Sequence, residues 1–197
     1  MDRYIKRVSF MVTILAIISY IYFDRAIALY SVNEPKVIKD IFSFITNFGL
    51  SQYYLIPSLL LFFISLIYCN KKFANAFLYI FTTVALSGIL SIILKVIFAR
   101  YRPPKFINDH LYGFNWFDFG YIVNSFPSGH SITALSAYTA FALLIPRLKW
   151  LFLSLGVLIA ISRVMVGVHY FSDILIGSLI GFLSSIYLYK KFYGSRV

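Results

Sequence analysis

Eight residues in three short stretches have the types and spacing to act on an anion: Lys95 and Arg102, then Ser128, Gly129 and His130, then Arg163, His169 and Asp173. Lys95 follows a largely apolar run, and Arg102-Pro103 comes seven positions later. Seven residues are nearly two helical turns, so both cations share a face if one helix persists until Pro103 and Pro104 stop it. Pro127-Ser128-Gly129-His130 opens the next long apolar stretch. Its glycine permits close backbone approach, and free N–H groups at a helix start favour an anion. His169 and Asp173 are four apart, so on one helical face the carboxylate reaches the imidazole. That contact fixes the tautomer and leaves the other ring nitrogen free as a nucleophile. Arg163 does not share that face on one ideal helix, so it is expected at the end of the preceding helix.

Taken singly, each residue has a plainer reading. Lys95 could snorkel to an interface, Arg102 and Arg163 could flank spans, and Asp173 could cap a helix. A lone His130 or His169 is more often a satisfied structural histidine than a catalyst. The joint pattern decides otherwise. Three cations around an anion-binding turn suit a phosphoryl group, whose transition state spreads charge over its equatorial oxygens.

The elements that must position these residues are membrane helices. Of the 197 residues, 60% are hydrophobic and 13% charged, with a mean hydropathy of +0.82. A soluble domain averages about 45–50% apolar and 25% charged residues, so lipid must be part of this chain's solvent. The net charge of +11 is scattered at segment ends rather than laid in a stripe, which excludes nucleic acid as partner and favours anionic headgroups. The single cysteine, Cys69, permits no intrachain disulfide.

Six apolar spans cover residues 8–30, 53–68, 74–99, 131–145, 150–168 and 174–189. They are too long and continuous for barrel strands, so an all-α integral membrane fold with six transmembrane helices is expected. No small-residue cleavage site follows the first span, so it is expected to be retained, with Asp24 and Arg25 at the interface. Between the first two spans, Pro35 precedes apolar residues at 3–4 spacing (Val37, Ile38, Ile41, Phe42, Phe44 and Ile45). This suggests a short amphipathic helix, either lying in the interface or packed on the bundle. In the loop 100–130, aromatics such as Tyr112, Phe114, Trp116, Phe117, Phe119 and Tyr121 suit headgroup-level anchoring or loop packing.

If six helices alternate, Arg3, Lys6, Arg7, Lys71, Lys72, Arg147, Lys149, Lys190, Lys191 and Arg196 fall on one side. The positive-inside rule then places both termini in the cytoplasm and the loops carrying Arg102, His130 and His169 on the outer side.

The three stretches 95–103, 127–130 and 162–173 resemble the signature motifs of the type 2 phosphatidic acid phosphatase superfamily, relatives of vanadium haloperoxidases and bacterial acid phosphatases. The family pattern is Lys, six residues, Arg-Pro; Pro-Ser-Gly-His; and Ser-Arg, five residues, His, three residues, Asp. Lys95–Pro103, Pro127–His130 and Ser162–Asp173 fit it without a gap or substitution. The resemblance implies a single membrane phosphatase domain over 1–197, acting on a lipid phosphate in the bacterial inner membrane, with the site facing the periplasm. It implies that His169 attacks phosphorus and forms a phosphohistidine, with Asp173 orienting its ring. Lys95, Arg102, Ser128, Gly129 and Arg163 would hold the phosphate oxygens, and His130 would protonate the leaving oxygen and then activate water. No metal or cofactor is expected, since the cations neutralise charge as a metal otherwise would. His110, Asp109 and Asp118 lie in the loop 100–130 with nothing to fix them as ligands.

Substrate candidates are undecaprenyl diphosphate, phosphatidylglycerol phosphate, phosphatidic acid and a lipid A phosphate. The absence of an added domain to read a large sugar headgroup favours a small or linear lipid. A phosphotransferase of the same fold, and a lipid-binding or transport membrane protein, are the alternatives.

Overall fold

The computed structural model describes residues 2–194, all helix and connecting loop apart from one bridge between Arg100 and Phe114. Arg196 lies outside the described residues. The first span is a continuous rod made of α1 (Asp2–Ile18), a π turn (Ser19–Phe23) and α2 (Asp24–Val32). Then follow α3 (Lys36–Asn47), α4 (Gln52–Ile67), α5 (Lys71–Phe98) and the short α6 (Pro103–Asp109). After a long loop come α7 (Gly129–Leu144), α8 (Lys149–Met165) and α9 (Phe171–Tyr193).

Every expected span is occupied by a helix. Among the described residues, five stretches are long and apolar enough to cross a membrane: Arg3–Val32, Lys36–Ile67, Lys71–Phe98, Pro146–Met165 and Phe171–Tyr193. The fold is thus that of a multi-span all-α membrane protein. Helix α7, at 16 residues, is the short member and the central one, packed against α5, α8 and α9. Its buried positions are mostly small: Ser131, Thr133, Ala134, Ser136, Ala137, Thr139, Ala140 and Ala142. Between helices in lipid the hydrophobic effect gives little, so close backbone approach and hydrogen bonds must hold the bundle. Gly177 and Gly181 supply that approach on α9. A Cβ on Gly181 would stand 2.4 Å from the Ile132 carbonyl oxygen, and one on Gly177 2.7 Å from that of Ser128. The Tyr79 hydroxyl on α5 ties to α9 by donating to the Ser185 carbonyl at 2.9 Å.

Helix α3 does both things expected of it. Ile45 packs on the α7–α8 core, while Val37, Ile41, Phe44 and Phe48 remain exposed on the opposite side. Asp24 is fully buried within the protein. One other expectation fails. The helix carrying Lys95 does not run on to Arg102: it ends at Phe98, where Ala99 takes a left-handed conformation (φ 39°). Pro103 then opens α6 instead of stopping α5, because its fixed φ and missing N–H suit a first helical position. Alternation of the long helices brings the carboxyl ends of α5 and α8 and the amino ends of α7 and α9 to one end of the bundle.

Gly181→Ala is expected to destabilise the protein by about 1–3 kcal/mol through overpacking against α7. Gly88→Ala, whose Cβ would meet nothing within 4 Å, is expected to be near neutral. Thermal melts of both variants in detergent check the contrast.

Candidate functional site

The cations arrive from three directions. Lys95, on the last turn of α5, donates from Nζ to the Asn124 carbonyl at 2.6 Å. Arg102 precedes α6 in extended conformation. Its Nε donates to Tyr121 O at 3.0 Å, Nη2 to Asn124 O at 3.3 Å and Nη1 to Val168 O at 3.4 Å. The ring of Tyr121 lies under the same guanidinium, 4.2 Å from Cζ to centroid. Arg163 does come from the last turn of α8, and its Nη1 donates to the Thr46 hydroxyl at 2.8 Å. Among the described residues, none of the three forms an ion pair. Nature's usual way to bury a cation is to pair it; here neutral oxygens serve instead.

Ser128 is the residue before α7, with its own N–H donating to the Asp173 carbonyl at 3.2 Å. Gly129 begins the helix beside Lys95: a Cβ there would lie 3.7 Å from Lys95 Cε. His130 is half-buried and braced by Gly49, where a Cβ would sit 2.8 Å from the imidazole. Neither Gly49 nor Thr46 stood out in the sequence; the end of α3 and the turn after it form one wall of the site, which spacing within the three motifs does not reveal.

His169 lies in the turn between α8 and α9, not on a helix. Gly167, with φ +74°, reverses the chain there, and the N–H groups of Val168 and His169 both donate to Arg163 O. Asp173 is in the first turn of α9, and its Oδ2 stands 3.6 Å from His169 Nδ1. The expected pair therefore meets, but across a helix start rather than along one face. At 3.6 Å the contact is longer than a hydrogen bond, as is common before substrate binds. Asp173 Oδ2 also accepts from Ser125 Oγ at 2.6 Å and from the Tyr170 N–H at 2.9 Å, and Oδ1 accepts from Arg100 Nη1. Nδ1 is the nitrogen turned toward the carboxylate, which leaves Nε2 as the free one.

Arg100, at an unspecified position of the first motif, has different surroundings from Lys95, Arg102 and Arg163. It is fully buried, bridging Asp173 and Asp24 and donating to Ser172 Oγ at 2.7 Å and Tyr112 Oη at 3.0 Å. Tyr20, Tyr112, Phe114 and Tyr170 surround its guanidinium, so part of the loop's aromatic content encloses this ion. Phe117 and Phe119 are exposed, while Trp116 and Tyr121, also exposed, pack on Phe98 and Phe114 and on Arg102 respectively.

Burial is the main cause that holds the His169 imidazole down to about 3; the Lys95 and Arg102 charges add to it, and the Asp173 carboxylate opposes. The ring is neutral at physiological pH, with a lone pair available. Burial likewise lowers the Arg102 guanidinium below its ordinary value, with Tyr121 and Asp173 opposing. Buried polar atoms without partners gather here: Arg163 Nε, His169 Nδ1 and Asn124 Oδ1. Open donors and unpaired positive charge around a neutral imidazole fit an incoming oxyanion. Among the described residues no three His, Cys, Asp or Glu stand close enough to hold a metal ion.

A groove of about 480 Å³ between α4, α5 and α7 reaches the site at Lys95, Gly129 and His130. Farther along, Leu55, Gly88 and Ile89 line it.

Fold and geometry together outline a candidate anion site at one end of a helix bundle, built around a buried imidazole. The PAP2 superfamily profile matches residues 76–196, and the chain belongs to that superfamily. It is 35% identical over 182 residues to a lipid A 1-phosphatase of Rhizobium etli, covering 86% of this chain and 78% of that protein. It also resembles the crystal structure of Aquifex aeolicus LpxE, with a TM-score of 0.62 and 25% identity over 84% of this chain and 93% of the other. A phosphatidylglycerolphosphate phosphatase of Bacillus subtilis shares the fold, at TM-score 0.67 and 22% identity, over 98% of this chain and 97% of that one.

The His169 ring is expected to stay neutral from pH 8 to pH 5, as read from its ring-nitrogen chemical shifts in the unliganded protein; a titration midpoint near the ordinary histidine value of about 6.5 would contradict the geometry.

Proposed function

We propose that this lipid phosphatase of the PAP2 superfamily removes the 1-phosphate of lipid A at the outer face of a bacterial inner membrane, through a phosphohistidine on His169. The observation that carries the reading is the trio of cations without ion-pair partners, Arg102 buried and Lys95 and Arg163 half-buried, around the neutral His169 ring at the end of a groove between helices. A lipid phosphate supplies both what the cations lack and what the groove accommodates. One acyl chain can lie along Leu55 and Ile89 while the phosphate reaches Lys95. The identity to lipid A 1-phosphatases favours a glycolipid phosphate over the small or linear lipid that the compact chain suggested.

In the first step His169 Nε2 attacks phosphorus, and the bond from phosphorus to the lipid oxygen breaks. His130, whose ring burial and the three cations otherwise keep neutral, is protonated once the phosphate offsets those charges, and gives that oxygen its proton. Lys95, Arg102 and Arg163, with Ser128 and the Gly129 amide, take up the charge of the equatorial oxygens. Asp173 stabilises the positive charge that develops on His169. In the second step His130 removes a proton from water, whose oxygen attacks phosphorus; the P–N bond breaks, releasing inorganic phosphate and neutral His169. One domain spanning the whole chain serves both steps. The charge asymmetry supports cytoplasmic termini: Lys6, Arg7, Lys71, Lys72, Arg147, Lys149 and Lys191 stand at the bundle end opposite the site.

The purified full chain in detergent is expected to release inorganic phosphate from lipid A 1-phosphate faster than from phosphatidic acid, phosphatidylglycerol phosphate or undecaprenyl diphosphate at matched surface concentration. Chelator should leave the rate unchanged. His169→Ala should lower it at least about 10⁴-fold, the scale for loss of a nucleophile. Transfer of the phosphate to a second lipid would instead identify a phosphotransferase, and full activity in His169→Ala would overturn the mechanism.

A further inference from the structure

We propose that Asp24, on the first helix and outside the segment matched by the family profile, is a positioning residue for the reaction, acting through Arg100 on Asp173 and hence on His169. This rests on the reading of Asp173 as the group that orients His169.

Four observations carry the inference. First, Asp24 is fully buried in a segment that crosses the membrane, where an ionised group persists only with partners, and beyond its own helix those partners are Arg100 and Ser172, both beside Asp173. Its Oδ2 accepts from Arg100 Nη2 at 2.8 Å and from the Ser172 hydroxyl, and its Oδ1 accepts from the Ser172 N–H at 3.0 Å. Ser172 is the neighbour of Asp173 in the first turn of α9. Second, the π turn Ser19–Phe23 immediately precedes Asp24, and its fifth-neighbour bond runs from the Asp24 N–H to Ser19 O. The extra residue in that turn places Ser19 and Asp24 on the same inward side, where Ser19 Oγ donates to Asp24 Oδ1 at 2.6 Å. Such insertions recur at functional sites.

Third, Arg100 grips Asp173 by Oδ1, the oxygen that does not face His169. A guanidinium bound to Asp173 alone would neutralise the carboxylate that His169 needs. Asp24 shares that charge, so the trio Asp24, Arg100 and Asp173 keeps one net negative charge, and Oδ2 keeps its pull on the imidazole. Fourth, none of Asp24, Arg100 or Ser172 bonds to Lys95, Arg102 or Arg163, so the network acts on the nucleophile and not on the cations that would hold phosphate. The plainer alternative is a lock that only fastens the first helix to α9. The two differ in what happens to the His169 ring.

The test uses the full chain in detergent with a lipid phosphate that the wild type hydrolyses; a wild type with no turnover on any lipid phosphate would refute the phosphatase reading and not this one. Asp24→Asn keeps the shape and removes the charge. It is expected to lower kcat about 10–100-fold, the usual cost of losing an outer-layer partner, with KM changed less than about twofold. In its ring-nitrogen spectrum His169 should change from one tautomer, protonated on Nδ1, to a mixture of two. A folded Asp24→Asn protein that keeps the wild-type tautomer overturns the proposal whatever its rate. If that variant does not fold, Ser19→Ala replaces it, since it removes one donor to Asp24 and little volume. The expected result is the same tautomer mixing with a kcat loss of about fivefold; an unchanged spectrum and rate overturn the proposal.

Discussion

Withdrawing a positive charge from water is costly, and this protein does it, wholly for Arg100 and Arg102 and in part for Lys95 and Arg163, at one end of its bundle and in two opposite ways. Arg100 is neutralised: two carboxylates and a ring of aromatics close around it. Lys95, Arg102 and Arg163 are not, and only carbonyl and hydroxyl oxygens hold them. Those neutral acceptors fix the direction of each cation without spending its charge. The difference separates scaffold from site. A folded state with three unpaired cations is stabilised by whatever anion enters, and the groove between α4, α5 and α7 leads to one of them, Lys95.

The scaffold must hold this arrangement without the help of water. Its main devices are glycines that let α9 touch α7, hydrogen bonds between helices such as Tyr79 to Ser185, and the buried ion network at the site end. Removing one partner of a buried ion pair costs about 3–5 kcal/mol because the other is left uncompensated. Arg100 has two such partners, one on α2 and one on α9, and its carbonyl accepts from the Ser125 N–H. Ser125 in turn donates to Asp173. One residue thus connects the first helix, the long loop and the Asp173 carboxylate, and site geometry and bundle assembly share the same contacts.

Much of this was legible in the sequence. The helices lie where apolar runs of sufficient length predict them, because in lipid the backbone has few other choices. The motif spacing anticipated that Arg163 would come from the end of a helix, but it put His169 on one helical face with Asp173, whereas His169 lies in the turn before α9. What failed was local backbone detail. The left-handed Ala99 breaks the continuity assumed between Lys95 and Arg102, and no propensity predicts a left-handed alanine. The Asp24–Arg100 pair was missed because each residue, read beside its own span, looks like an ordinary interfacial charge. Opposite charges at the ends of two apolar runs, both expected on the same side, were the available signal. Thr46 and Gly49 left none, since their roles come from where α3 meets α8.

The central claim is that His169 is the nucleophile that attacks phosphorus, held neutral by burial and aimed by Asp173. Rapid acid-free denaturation of the full chain during turnover of a radiolabelled lipid phosphate tests it most directly. The account predicts label on the His169 peptide in a linkage stable to base and labile to acid, and none in His169→Ala. Steady turnover with no label on that histidine at any quench time, or label on a different residue, would contradict it.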